Sequence, residues 1–143
     1  MTVAMILATK NPDVVTIQPH RTLQEASALL AERGIGAAIV ADGAGEVLGI
    51  ISERDIVRAV GRDGAAVLDA PVSSHMTSKI VTTEPCESIH LVMETMTRER
   101  FRHLPVMQNS RLVGIVSIGD VVKYRLESME TEQRALRDYI ATA

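Results

Sequence analysis

The chain contains itself twice. Residues 14–40, VVTIQPHRTLQEASALLAERGIGAAIV, lie over residues 80–106, IVTTEPCESIHLVMETMTRERFRHLPV, at a constant offset of 66 residues. Past the next loop the offset is 65, with residues 47–58 over residues 112–123, so one residue was gained or lost in the turn at residues 42–46. A turn is where a duplicated chain tolerates such a change.

Each copy reads as β-α-β-β-α. A β-branched strand (residues 14–17 or 80–83) ends at Pro19 or Pro85. In the next helix Leu23, Ala26, Leu29, Leu30 and Arg33 recur at helical spacing in the first copy, an apolar stripe up to its terminal arginine, with Ile89, Val92, Met93 and Met96 in the same places in the second. Thr22 and Glu25 have capping-box spacing at the first of these helices. Two strands joined by a turn follow (residues 37–40 and 47–51; residues 104–107 and 112–116), and a second helix starts at Ser52 or Ser117. One such unit leaves a sheet face uncovered and is marginal alone; two facing units cover each other. The fold class this predicts is α+β, two β-α-β-β-α repeats plus a C-terminal helix. Short helical leads at residues 3–8 and 72–76 are expected to close the sheet ends. The expected division is 1–62 for the first repeat with its lead, 63–71 for a polar linker, 72–126 for the second repeat and 127–143 for a helical tail.

Composition removes several classes of function. The net charge of −3 comes with scattered Lys and Arg and only three aromatic residues, Phe101, Tyr124 and Tyr139. That leaves neither the basic face nor the stacking platform of a nucleic-acid binder. Cys86 is the only cysteine, so there is no intrachain disulfide, and no apolar run approaches a membrane span. The expectation is a cytoplasmic protein that contacts neither nucleic acid nor membrane. His20, His75, His90 and His103 lack metal-ligand spacing. No nucleophile and base are assembled, so no catalytic residues, no metal and no enzyme are expected.

Residues 49–55, GIISERD, and 114–120, GIVSIGD, share the form Gly-aliphatic-aliphatic-Ser-x-x-Asp. A Ser N-cap with Asp at N3 is an ordinary helix start. The same spot also offers free N–H groups to an anion and a carboxylate to the vicinal hydroxyls of a ribose, and its duplication favours a nucleoside site.

The duplicated unit, with this motif ending each copy and HLPV at residues 103–106, resembles tandem CBS domains, the Bateman module, from about Val3 to Arg125. The resemblance implies pseudo-two-fold symmetry and two clefts between the repeats. In each, the Asp holds ribose, Ser and basic residues take phosphate, and backbone and aliphatic groups hold adenine. On this chain the first cleft would gather Ser52, Arg54 and Asp55 with Thr77, Val81, Phe101, Arg102 and His103. The second would gather Ser117 and Asp120 with Val15, Ile35, Gly36 and Ala37. Gly119 stands where the first cleft has Arg54, and Gly36 and Ala37 where it has Arg102 and His103. The first cleft is therefore expected to bind the tighter or more phosphorylated ligand, and the second to bind weakly, borrow a cation or stay empty. A phosphate beside His103 would raise its pKa and make it pH-sensitive.

The implied function is regulatory: binding an adenosyl ligand (AMP, ATP, NAD or a relative), as in energy sensing, and signalling to an unknown client protein. No catalytic cofactor is implied. The alternative is a ligand-free, dimeric scaffold. In the tail, Leu126, Met129, Gln133, Leu136 and Ile140 share one helix face, expected to pack on a homodimer partner or on the body.

Overall fold

The computed structural model describes residues 1–10 and 13–142. Asn11 and Pro12 of the first predicted unit, and Ala143 of the tail, lie outside the described residues. In chain order the elements are α1 (Val3–Ala8), β1 (Thr16–Ile17), α2 (Leu23–Arg33), β2 (Ala37–Ala41), β3 (Val47–Ser52), α3 (Glu53–Asp63), α4 (Ile89–Glu99), β4 (His103–Gln108), β5 (Arg111–Ser117) and α5 (Ile118–Thr142). Short 3₁₀ segments span Ala65–Asp69 and Val72–Ser74. The first repeat has a three-stranded sheet in the order β1-β2-β3, with β1 parallel and β3 antiparallel to β2. The helical stripes go inward: Leu23, Ala26 and Leu30 are buried on α2, and Ile89, Val92 and Met96 on α4. Thr22 caps α2 by accepting from the Glu25 N–H at 3.1 Å, while the Glu25 carboxylate turns to Arg21 and the Thr22 hydroxyl.

The second repeat departs from the expected pattern. Its sheet has two strands, β4 and β5, and the strand expected at residues 80–83 contributes one parallel bridge, Thr83 to Val106. The cause is Pro105. In the first repeat the Ile39 N–H donates to the Val15 carbonyl at 3.1 Å. At the offset of 66 these positions become Pro105 and Val81, and proline has no N–H to give. Pairing survives only where donors remain, from Thr83 to Pro105 O at 2.9 Å and from Met107 to Thr83 O at 2.8 Å.

A larger difference concerns the leads, which close each other's repeat. Val3 and Ile6 of α1 are buried with Ile89, Val92, Leu104 and Val116 of the second repeat. Val72 is buried with Leu23, Val40 and Ile51 of the first. The backbone bonds come in symmetric pairs. Ile89 N–H donates to Met1 O as Leu23 N–H does to Ala70 O, at 3.2 and 3.0 Å. Val3 N–H donates to Glu87 O as Val72 N–H does to Arg21 O, at 3.0 and 2.7 Å. Ala4 N–H donates to Pro85 O as Ser73 N–H does to Pro19 O, at 2.9 and 3.1 Å. The N-terminal lead, placed by sequence with the first repeat, thus belongs in space to the second. The stretch taken as polar linker is also partly core, because Val67 is buried and Leu68 and Ala70 pack against the first cluster.

This crossing explains the glycine that opens each motif. A Cβ on Gly49 would stand 2.7 Å from Thr77 O and 2.9 Å from Met76 Sδ, and one on Gly114 would stand 2.6 Å from Leu7 Cδ2. Each glycine is the gap through which the other repeat's lead passes over the strand. Gly49→Ala is therefore expected to lower the unfolding free energy by roughly 1–3 kcal/mol, the usual cost of overpacking. Gly43→Ala, whose added Cβ meets nothing within 4 Å, should stay within about 0.5 kcal/mol of the parent. Urea unfolding of both variants checks the contrast.

Candidate functional site

Ser52 ends β3 and caps α3 with a reciprocal box. The Ser52 N–H and hydroxyl both donate to Asp55 Oδ2 at 2.9 Å, and the Asp55 N–H donates to Ser52 Oγ at 3.3 Å. Ser117 and Asp120 repeat the box at the start of α5, at 2.9 and 3.1 Å. Each helix start is also tied to its own repeat, Glu53 N–H to Gly36 O at 2.9 Å and Ile118 N–H to Arg102 O at 2.8 Å. The motif is thus a cap of the kind worth about 1 kcal/mol, and the caps hold both carboxylates fixed beside a cleft.

The two clefts lie between the repeats, and the residues expected to line them do so. Ser52, Arg54, Asp55, Thr77, Val81, Phe101, Arg102 and His103 line the first, of about 160 Å³. Val15, Ile35, Gly36, Ala37, Ser117 and Asp120 line the second, of about 740 Å³. Gly36 and His103 line both. Thr77 reaches the first cleft because its lead pairs with β3 through reciprocal Thr77–Ile50 backbone bonds at 2.9 and 3.0 Å. Its hydroxyl donates to Asp55 Oδ1 at a long 3.4 Å, which leaves that oxygen weakly engaged.

Several cleft residues escaped sequence reasoning. Lys10 ends the N-terminal lead and, because the leads cross, enters the second cleft. Its ammonium donates to Asp120 Oδ2 at 2.7 Å and to Ile115 O at 2.8 Å. Lys79 holds the matching place in the first cleft. The signal was present: VAMILATK at residues 3–10 lies over VSSHMTSK at residues 72–79 at an offset of 69, which aligns the two lysines. Arg58, Arg100 and Glu53 also line the first cleft, and Arg33 and Asp13 the second. Counted over the described residues, the first cleft has five Lys or Arg against two carboxylates. The second has two against two. The first cleft is the more basic, and the second carries its own cation, Lys10.

Arg100 closes α4 at φ 58°, where the first repeat has Gly34 at φ 62°. An arginine in the left-handed region is strained, and here it lines the more basic cleft. Arg100→Gly should raise the unfolding free energy by about 1 kcal/mol, read as a higher urea midpoint.

Burial lowers the His103 pKa from its usual 6.5, and the Lys10 ammonium and Arg102 push the same way, against Asp120 and Glu53. Without a ligand the imidazole is therefore neutral at pH 7, and a bound phosphate would act against that depression. Burial alone would raise the Asp120 carboxyl, but the Lys10 hydrogen bond and the Ser117 N–H more than offset it and hold it below its usual 3.8.

These shifts fix the sign of a pH effect. Below pH 6.5 the unfolded chain takes up a proton that folded His103 refuses, so His103 costs stability increasingly as pH falls from there to its folded midpoint. The Asp120 contribution is present above its usual range and is lost as pH falls below 3.8 through the folded value. In NMR titrations the His103 midpoint is expected below 6.5, higher in Lys10→Met and lower in Asp120→Asn. A parent midpoint at or above that value contradicts the assignment.

Among the described residues no three-residue metal cluster occurs, and no helix is long and apolar enough to cross a membrane. The family model of the CBS domain matches residues 7–62 and 72–127. A CBS domain-containing protein of Bacillus subtilis (strain 168) is 34% identical over 116 residues, 79% of each chain. The crystal structure of a CBS-domain containing protein from Agrobacterium tumefaciens is similar at TM-score 0.85 and 47% identity, covering 87% of this chain and 99% of that one. A CBS domain protein from Pyrobaculum aerophilum, complexed with AMP, is similar at TM-score 0.75 and 30% identity, covering 84% and 89%.

Proposed function

Because the chain belongs to the CBS-domain family, we propose that it is a regulatory module that binds adenine nucleotides between its two repeats, works as a homodimer and signals to a client protein in trans. The observation that carries this reading is the duplicated cleft. Each one sets an Asp fixed by a Ser cap, a helix N-terminus and a lysine from the crossed lead against aliphatic walls. A carboxylate suits ribose hydroxyls, the helix start and cations suit phosphate, and Ile50, Ile80 and Val81 offer a base an apolar bed in the first cleft. The AMP complex of the Pyrobaculum aerophilum relative supports an adenosyl ligand here. NAD and ATP share its recognition elements.

The clefts would play different parts. Five Lys or Arg suit the first to the more phosphorylated ligand. At about 160 Å³ it is smaller than the ~300 Å³ at which ligand pockets begin. A nucleotide there would project from the open mouth of the cleft or part the repeats, and a parting of the repeats is a signal a client can read, limited by the ligand's differential affinity for the open form. The second cleft is roomier, but the Lys10 ammonium and the Ser117 N–H already share Asp120 Oδ2, which takes up part of that carboxylate's capacity for a ribose. That contact favours the alternative reading, an unliganded scaffold, for the second cleft only.

The test is calorimetric titration of ligand-stripped protein with AMP, ATP, NADH and S-adenosylmethionine. The expected result is tight binding weakened at least about tenfold by Asp55→Ala, the loss of one charged hydrogen-bond partner, and a weaker event removed by Asp120→Ala. No heat from any ligand at millimolar concentration would leave the scaffold reading.

A further inference from the structure

The last helix leaves the body and exposes an ordered apolar seam. On α5, Val122, Leu126, Met129, Gln133, Leu136 and Ile140 alternate at spacings of four and three residues, the d and a positions of a coiled coil. Leu126 is 55% exposed, Leu136 59% and Ile140 65%. The body holds a different face, where Val121 is buried, Tyr124 Oη donates to Met5 Sδ at 3.1 Å and Ser128 Oγ to Met1 Sδ at 3.2 Å. In the same frame these three residues are at c and f, away from the seam.

We propose that the seam pairs with the same seam of a second copy, as a parallel two-stranded coiled coil. The charges flanking it choose the occupant and its direction. Arg125 and Glu132 are at g, and Glu130 and Arg137 at e. All four are exposed, and among the described residues none forms a salt bridge within its own chain. In a parallel pair each g residue faces the e residue of the next heptad on the other strand. Arg125 then meets Glu130 of the second copy, and Glu132 meets Arg137. Antiparallel pairing over the whole seam sets Glu130 against Glu130, Glu132 against Glu132 and Lys123 against Arg137, three repulsive contacts, and an antiparallel pair escapes them only by slipping a heptad and giving up part of the seam. Gln133, at an a position, favours equal register, since the polar layer is satisfied when both glutamines share it.

This inference rests on the homodimer part of the proposed function and is independent of the nucleotide part. The test uses the full chain in a Cys86→Ser background and sedimentation equilibrium. A dimer is expected for the parent, and a monomer with unchanged thermal unfolding of the body for Leu136→Asp, a change on an exposed helix face. Gln133→Cys is expected to oxidise to a disulfide-linked dimer, because only parallel in-register strands bring the two Cα atoms within the ~7 Å that a disulfide spans. A monomeric parent overturns both the seam and the homodimer. A dimer that survives Leu136→Asp, or a dimeric Gln133→Cys variant whose thiols stay free under oxidant, overturns the parallel seam and leaves a homodimer held elsewhere.

Discussion

The architecture depends on the crossing of two leads. Each repeat buries its helices on one face of a small sheet and still lacks a cover at one end. The missing piece, Val3 and Ile6 or Val72, is supplied by the segment that precedes the other repeat. Three backbone hydrogen bonds on each side fix that segment, each worth on the order of 1 kcal/mol net. Neither repeat has its full core without residues from outside its own β-α-β-β-α unit, so the halves are bound by shared cores as well as by contact. The glycines at 49 and 114 follow from this, since a side chain at either would block the crossing backbone or its Leu7.

The clefts are a product of the same crossing. A lead that passes over the strand before the Ser cap delivers its last residues beside that cap's Asp. Lys10 therefore meets Asp120, more than a hundred residues away, and Thr77 meets Asp55. The cap, the glycine and the lysine are one device seen at three places in the chain. Its two copies have since diverged: Lys10 is bonded to its carboxylate, whereas Lys79 lines the first cleft with no ion pair to Asp55 among the described residues.

What the sequence disclosed followed the range of the interactions involved. The repeat, the helix stripes and the Ser-x-x-Asp caps are local patterns, and Ser52, Asp55, Ser117 and Asp120 of those caps line the two clefts together with the residues that the family resemblance implied. The loss of a strand at residues 80–83 was legible from Pro105 over Ile39, but only to a reading that asked which N–H the parallel strand needs. The crossing of the leads was not legible, because α1 and the segment Val72–Ser74 would read alike whichever repeat they covered; only long-range backbone bonds decide it. Lys10 and Lys79 were missed for that reason, their shared offset of 69 lying outside the aligned repeats. The core role of Val67 was missed because Gly61, Gly64, Asp63, Asp69 and Pro71 around the short apolar run at residues 65–68 read as linker signals.

The same crossing makes the two clefts neighbours rather than separate sites. His103 begins β4, lines both, and feels Glu53 and Arg102 from one side and Lys10 and Asp120 from the other. Opposite it, Gly36 lines both clefts and lacks a side chain; a Cβ there would stand 3.8 Å from the imidazole and 3.4 Å from Glu53 Oε1. The half-buried imidazole thus feels one cation and one carboxylate from the lining of each cleft. An anion on either side changes the field at that ring, and the ring's proton changes the field on the other side. Linkage requires such an effect to be reciprocal, so anions bound in both clefts, as proposed above, would sense each other's charge through this ring.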